Sequence, residues 1–299
     1  MGPIAAEGAA LRMPEWLKSG LPDAETVGTF ARKVSDLGLN TICLEARCPN
    51  KRQCFEEHAV TFLVMGRNCT RRCRFCNVSG AGPELLRADE PRRLRTAVSD
   101  LALDHVIVTS VARDDLADGG ASHYQACVEA LRQIDRPIAV EVLTPDFGGD
   151  PAAVDRVAGS PIDVFAHNIE TTERLYGAVR DKACYRRSLG VLEHVGRGFK
   201  SLVIKSGLML GIGETLEEVK VTLRHLREAG SDIATVGQYM RPSKMHLPVK
   251  EYIHPVVFDE IAGYARELGL VAVCGPRVRS SFRAGEAFQE AKSRRQRCA

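Results

Sequence analysis

The sequence predicts an α/β fold: a partial (β/α)6-type TIM barrel, with an N-terminal cysteine-bearing extension and a C-terminal segment that closes the site. Three observations carry this expectation. After residue 60, short β-branched or apolar runs alternate with longer amphipathic stretches, the pattern of βαβ units and hence of a parallel sheet with right-handed crossovers. Six or seven such units fit a chain of 299 residues, a length at which α/β barrels fold as one unit. The segments that leave the expected strands carry cysteines and polar residues, as barrel loops do at the C-terminal face.

In order along the chain, residues 1–59 read as the extension: a start punctuated by Pro and Gly, a helical stretch near Ala24–Leu37, then a loop with Cys43, Cys48 and Cys54. Residues 60–274 read as the barrel. Strands are expected at Ala59–Met65, His105–Ser110, Ile138–Leu143, Asp163–Ile169, Leu202–Leu210, Ile233–Gln238 and Leu270–Cys274. Amphipathic helices are expected between them, at Pro91–Leu103, Ala121–Gln133, Thr171–Val179 and Leu216–Ala229. Residues 275–299 form the C-terminal segment, ending in Lys292, Arg294, Arg295 and Arg297. That basic end reads either as a solvated tail or as a docking patch for an acidic protein.

Composition narrows the function classes. With 44% hydrophobic and 26% charged residues, the chain is an ordinary globular protein, and one of this length buries roughly 75% of its unfolded surface without needing disulfides. No apolar run reaches the length of a membrane span. The first residues lack a cationic patch followed by an apolar run, so a cytoplasmic location is expected. One Trp, and no basic segment interleaved with aromatics, argue against nucleic-acid binding. The ten cysteines are the unusual feature. In a reducing compartment, clustered cysteines read as metal ligands or redox groups. Six of them fall between Cys43 and Cys76, and the scattered Cys127, Cys184, Cys274 and Cys298 read as small hydrophobes or inert thiols.

Cys69-Thr-Arg-Arg-Cys73-Arg-Phe-Cys76 has the spacing CxxxCxxC directly after the first expected strand. Three thiolates in one loop can ligate three irons of a cubane and leave the fourth open to an exogenous ligand. Arg71, Arg72 and Arg74 are expected to help hold an anionic cluster, and Phe75 to wall it from solvent. A structural zinc site, the alternative, wants four ligands, and this loop offers three. The upstream triplet, Cys43, Cys48 and Cys54, is ambiguous alone; beside a cluster loop it reads as a second cluster, or else as unrelated thiols.

Taken together, the segments CLEARCPNKRQC, CTRRCRFCNV, VTSVARDDLADGGASHY, NIETTERLYGAVR, KSGLMLGIGET, GQYMRPSKMHLPV and GPRVRSSFRA resemble the lipoyl synthases of the radical S-adenosylmethionine superfamily. The resemblance runs from about Pro14 to Ala287, with Phe55 where the family usually has Trp and Phe282 where Tyr is common. It implies two [4Fe–4S] clusters. Cys69, Cys73 and Cys76 would hold the one that binds S-adenosylmethionine and yields a 5′-deoxyadenosyl radical. Cys43, Cys48 and Cys54 would hold an auxiliary cluster, with Ser281, or by spacing equally Ser280, on its fourth iron. It further implies that the auxiliary cluster supplies two sulfurs to the sixth and eighth carbons of a protein-bound octanoyl group.

Asn168, Glu170, Arg180 and Lys205 are candidates to hold the S-adenosylmethionine, and the Gly211–Gly213 turn could approach its adenosine. Asp114 and Asp115 could hold a loop by capping backbone donors, and His58, His105 and His123 read as surface or supporting groups. The implied partners are an octanoylated lipoyl-carrier domain, an electron donor such as flavodoxin or ferredoxin, and a cluster-repair protein. Two other readings remain open. One is a different radical sulfur-inserting enzyme, acting on biotin or a tRNA base; the other is a non-enzymatic iron–sulfur sensor or electron carrier. Against the first, the second triplet sits in one N-terminal loop and no added nucleic-acid domain follows the barrel.

Overall fold

A computed structural model describes residues 11–18, 28, 31, 32, 34–46, 48, 50, 51, 54 and 60–298. The helical stretch expected near Ala24–Leu37 lies partly outside these residues, but residues 28, 31, 32 and 34–36 are helical. His58 and Phe55 lie outside them.

Among the described residues the sheet has eight strands in sequential order. β1 (Asn40–Thr41) pairs antiparallel with β2 (Val60–Val64), placing Asn40 opposite Leu63. From β2 onward every neighbour is parallel: β3 (His105–Ser110), β4 (Ala139–Leu143), β5 (Val164–Ala166), β6 (Val203–Leu210), β7 (Ile233–Gln238) and β8 (Val271–Gly275). Between them run α2 (Glu90–Asp100), α3 (Ala121–Leu131), α4 (Pro151–Ala158), α6 (Tyr185–Gly198), α7 (Leu216–Glu228) and α8 (Pro255–Glu267). The short α1 (Ile42–Glu45) and α5 (Tyr176–Val179) belong to the N-terminal extension and to the connection after β5. Six strand–helix units followed by β8, with no described pairing of β8 back to β1, make the expected partial barrel.

Local chemistry explains the element ends. Thr215 and Glu218 form a reciprocal capping box at the start of α7, satisfying two orphan amides. Asp150 caps α4 and Pro151 opens it, a start in which a missing proline N–H costs nothing. The helix expected at Thr171–Val179 is instead a 3-10 turn, Glu173–Leu175, followed by α5, because Thr172 is still extended, at ψ 160°.

Strand alternation stacks the barrel lumen in layers. At the bottom, Val164, Val203, Ile233 and Val271, near the starts of their strands, meet Ala287, Phe288 and Ala291. These last three lie on α9 (Ala284–Cys298), so the chain end is a helix plugging the N-terminal mouth of the barrel. Of its basic residues, Arg295 pairs with Asp232 at 2.7 Å and Arg294 Nη1 donates to Leu270 O at 3.3 Å. Two of the four cations are therefore staples and not a free tail. Two residues further up β4 and β6, Glu141 and Lys205 form a buried pair at 2.8 Å, with His105 Nε2 3.4 Å from the same carboxylate. Above that layer the barrel is hollow.

Candidate active site

At the C-terminal ends of the strands lies a cavity of about 530 Å³. Cys69, Cys73 and Cys76 open on it, as do Cys43, Cys48, Asn168, Glu170, Arg180, Ser280 and Ser281. Segments separated by more than 200 residues of sequence thus meet in one space. Cys54 is buried outside the lining, and its loop is tied to the C-terminal segment through Asn50 Nδ2, which donates to Arg277 O at 2.5 Å. Among the described residues no three His, Cys, Asp or Glu side chains converge on a single ion. The thiols are spread around a larger space.

The loop after β2 is fixed by its neighbours. Cys69 N donates to Ser79 O at 2.7 Å, Thr70 N to Ala112 O at 3.1 Å and Arg74 N to Val179 O at 2.9 Å. Cys69 Sγ accepts from two backbone amides, Ala112 N at 3.3 Å and Arg71 N at 3.4 Å. The expected role of the loop arginines needs correcting. Arg71 is buried and spends its charge on carboxylates, with Asp114 and Asp146 each at 2.7 Å. Arg72 and Arg74 are exposed and donate to the carbonyls of Gly80 and Ala178. These arginines brace the loop. Asp146 also takes Arg187 from α6 at 2.7 Å; against the cost of its burial, these guanidinium groups hold its carboxyl at about 2. Asp114 and Asp115 hold their loop through Arg71 and Arg113 and not by capping. Phe75, half-buried, packs against the apolar cluster of Val179, Ile212, Tyr239 and Leu247.

Burial raises the thiols of the site. It pushes Cys43 up to about 11 and Cys76 up to about 12, and raises Cys73 against the pull of an Asp181 backbone amide. Burial among apolar neighbours favours the neutral thiol; iron would displace these protons on binding.

The segment after β5 is shaped by a bulge that periodicity did not reveal. Ala166 pairs with Lys205, and the next bridge joins Glu170 to Leu208. β5 therefore carries one residue more than β6 over this stretch, which re-aims side chains as bulges near active sites do. It also explains why the strand expected to reach Ile169 stops at Ala166. Glu170 sits at φ +69°, a strained conformation for a non-glycine residue, and burial raises its carboxyl despite nearby Arg180.

Behind it runs a directional hydrogen-bond relay. Arg180 Nη1 donates to Tyr176 Oη at 2.8 Å and to Asn168 O at 2.7 Å. Tyr176 Oη meets Ser188 Oγ at 2.6 Å, Ser188 meets His167 Nε2 at 2.9 Å, and His167 Nδ1 meets Thr144 O at 2.9 Å. A carbonyl can only accept, so His167 carries its proton on Nδ1 and every donor in the chain points one way. Burial and the charge of Arg180 lower His167 to about 4, which keeps it the neutral acceptor the relay needs. Arg180 Nε is left buried with no partner among the described residues. Such an orphan donor facing a cavity fits an anionic or polar ligand group.

The C-terminal segment lies across the top of β7. A Cβ built on Gly237 would fall 2.0 Å from Val278 O, so only glycine permits this approach. Arg279, also close by, donates to Gln238 O at 3.0 Å and Val278 O at 2.8 Å. Ser280 Oγ donates to Asn168 Oδ1 at 3.1 Å. Ser281 lines the cavity with its hydroxyl unpaired among the described residues.

Not every expected residue joins the site. Lys205 lies in the buried pair beneath the cavity and not in its lining. The Gly211–Gly213 turn is also outside the lining, its amides held by the Glu214 carboxylate and its inner face filled by Gln238 and Glu251. His123 is a buried partner of Glu90 at 2.7 Å. Asp146, His167, Ser188, Gln238 and Gly237 were not singled out in the sequence. Their partners lie tens of residues away, and no local spacing marks them.

An open parallel barrel with a three-cysteine loop after its first parallel strand, facing a second set of thiols across a cavity, defines a class. The model of the radical SAM superfamily matches residues 63–226, and the chain belongs to it. Solved structures agree on the fold. Methylornithine synthase (PylB) superposes with a TM-score of 0.56 at 12% identity, covering 90% of this chain and 82% of that one. The hydrogenase maturase HydG superposes with a TM-score of 0.58 at 12% identity, over 89% and 66%. Within the superfamily the relatives are specific. The chain is 47% identical to a lipoyl synthase of Methylococcus capsulatus, over 95% of this chain and 89% of the relative. It is 46% identical to that of Caldicellulosiruptor saccharolyticus, over 92% and 97%. The chain is a member of the lipoyl synthase family.

Proposed function

We propose that the chain inserts two sulfur atoms, at the sixth and eighth carbons, into an octanoyl group carried on a protein, giving a lipoyl group. The observation that carries this reading is the meeting of Cys69, Cys73 and Cys76 with Cys43 and Cys48 of the other set and with the Arg279-Ser280-Ser281 segment on one cavity. The donor set fits two [4Fe–4S] clusters: a loop of three thiols, a second three-cysteine set, and an unpaired serine hydroxyl. Bound there, one cluster with S-adenosylmethionine supplies a hydrogen-abstracting radical and the other supplies sulfur.

The protein's own residues bind, orient and shield. Cys69, Cys73 and Cys76 hold the first cluster, and the amides of Ala112 and Arg71 hydrogen-bond to the Cys69 sulfur. Arg180, oriented by the relay and by Asn168, presents its free Nε to the cofactor, beside Glu170 and Asn168. Cys43, Cys48 and Cys54 hold the auxiliary cluster with Ser281; the engagement of Ser280 by Asn168 supports that choice of serine. Ile107, Leu143, Leu208 and Met209 give the lining an apolar side suited to an alkyl chain. Residues 1–59, 60–274 and 275–299 act as extension, barrel and closing segment. The partners are a carrier domain, a one-electron donor and a cluster-repair protein. No described helix is long and apolar enough to cross a membrane, which is compatible with a cytoplasmic location.

The test is anaerobic incubation with an octanoyl-lysine peptide, reductant and S-adenosylmethionine. Mass spectrometry should show the gain of two sulfurs; cofactor cleavage with an unmodified peptide would refute the substrate assignment.

A further inference from the structure

Among the described residues, Thr41, Thr61, Thr171, Thr172, Arg180 and Ser231 each keep a buried polar side-chain atom with no hydrogen-bond partner. Of these, Thr61 and Arg180 line the cavity and the others do not. Arg180 presents its Nε to the cofactor, whereas Thr61 Oγ1 meets no ligand in that arrangement. A buried hydroxyl left unpaired carries its desolvation cost with no return. The three other threonines of the lining are all engaged. Thr109 Oγ1 donates to Leu143 O at 2.9 Å, Thr144 Oγ1 to Ala166 O at 3.3 Å and Thr235 Oγ1 to Ser206 O at 3.4 Å.

The strand register shows what Thr61 faces. It stands on β2 opposite Ile107 of β3, and both line the cavity, so alternation turns the Thr61 side chain into the lumen. β1 runs antiparallel beside β2, with Thr41 opposite Phe62, and leads directly into α1, which carries Cys43. There the Thr61 backbone amide hydrogen-bonds to the Cys43 sulfur. Thr61 is 2% exposed and Cys43 6%, so bulk solvent does not supply the missing partner. A neutral thiol is a weak acceptor, from which a hydroxyl gains little. Iron takes the place of the thiol proton and leaves a charged sulfur, which accepts a much stronger hydrogen bond.

We infer that the Thr61 hydroxyl donates a hydrogen bond to the auxiliary cluster, at the sulfur of Cys43, and is a positioning residue for sulfur transfer. The inference rests on the assignment of Cys43, Cys48 and Cys54 to that cluster. The amide and the hydroxyl of one residue then hold one corner of the cubane, while Ser281 supplies an oxygen to another iron. A second directional bond fixes how the cubane faces the cavity, where the alkyl chain must meet its sulfides. Hydrogen bonds to a cluster's sulfurs also favour its reduced, more negative state and so raise its potential.

The test isolates the auxiliary cluster in the full chain carrying Cys69→Ala, Cys73→Ala and Cys76→Ala, reconstituted anaerobically and titrated by electron paramagnetic resonance at poised potentials. Thr61→Val should shift the reduction equilibrium at least tenfold toward the oxidised form, about 59 mV for one electron, at unchanged iron content. Thr61→Ser should restore it. In the apo-protein with all cysteines intact, Thr61→Val should melt no lower than wild type, because the hydroxyl has no bond to lose. Iron lost in Thr61→Val but kept in Thr61→Ser, with that apo stability, supports the bond equally. An unchanged potential at full iron content overturns the inference, as does a serine variant that behaves like the valine one. A lower apo melting temperature overturns it too, by giving the hydroxyl a structural partner. Failure of the three-cysteine variant with native Thr61 to take up iron would instead refute the auxiliary-cluster assignment.

Discussion

Replacing Gly237 by alanine separates two parts of the chemistry at a position that supplies no cluster ligand. The new methyl carbon would lie 2.0 Å from Val278 O and 2.9 Å from its carbonyl carbon. Carbon and oxygen need more than 3 Å, so one of the two backbones must move by at least about 1 Å. β7 is held on both sides, by β6 and β8. The C-terminal segment is held near the site by one hydrogen bond from Arg279 to Gln238 O, one from Ser280 to Asn168 Oδ1 and one from Asn50 Nδ2 to Arg277 O. A neutral hydrogen bond contributes about 1 kcal/mol and a charged one about 1.5–3 kcal/mol, so the segment is the side that yields. Overpacking of this kind costs about 1–3 kcal/mol, or a few degrees of melting temperature in a chain this size. Gly237→Ala should therefore stay folded and cleave S-adenosylmethionine within about twofold of wild type. Sulfur insertion should fall at least tenfold, about 1.4 kcal/mol of lost stabilisation, because Ser281 is withdrawn. The assay measures 5′-deoxyadenosine by chromatography and lipoyl product by mass spectrometry. Full product yield, or loss of both activities together, would refute the reasoning.

Four further outcomes are expected. Replacing Cys69, Cys73 and Cys76 together should reduce iron from about eight to about four per chain and abolish cofactor cleavage, while Cys43→Ala, Cys48→Ala or Cys54→Ala keeps cleavage and loses product; zinc in place of iron would contradict both. Ser281→Ala should lose most sulfur insertion and Ser280→Ala less, since the latter gives up only its bond to Asn168; the reverse order at equal cluster content would transfer the ligand role to Ser280. Lys205→Met leaves Glu141 charged and buried and should cost about 3–5 kcal/mol in urea unfolding with cofactor affinity intact in the folded fraction; lost affinity at unchanged stability would return Lys205 to the cofactor. His167, lowered to about 4 in the fold, is protonated more readily when unfolded. The apo-protein should thus keep full stability above pH 6.5 and lose about 3 kcal/mol as pH falls from 6.5 toward 4; an equal loss in His167→Asn would dismiss the relay.

The sequence by itself determined the barrel, the cysteines and the family. Strand–helix alternation and CxxxCxxC spacing are local patterns, set by side-chain periodicity and by the reach of one loop. All seven expected parallel strands are present, most within a residue or two of their expected ends. The tertiary structure alone decided which polar residues serve the cavity. Lys205 sits within a motif segment, yet alternation along β6 turns it into the lumen beneath the site, where Glu141 of β4 neutralises it. Arg71 stands between two ligands, yet Asp114 and Asp146 from two other loops claim its charge. The bulge at Glu170, the relay from Arg180 to Thr144 and the approach of Val278 to Gly237 likewise join positions far apart in the chain. Hydrogen bonds and ion pairs act over a few ångströms of space, and the sequence orders only neighbours along the backbone. Only folding could show which distant partners each charged side chain would meet.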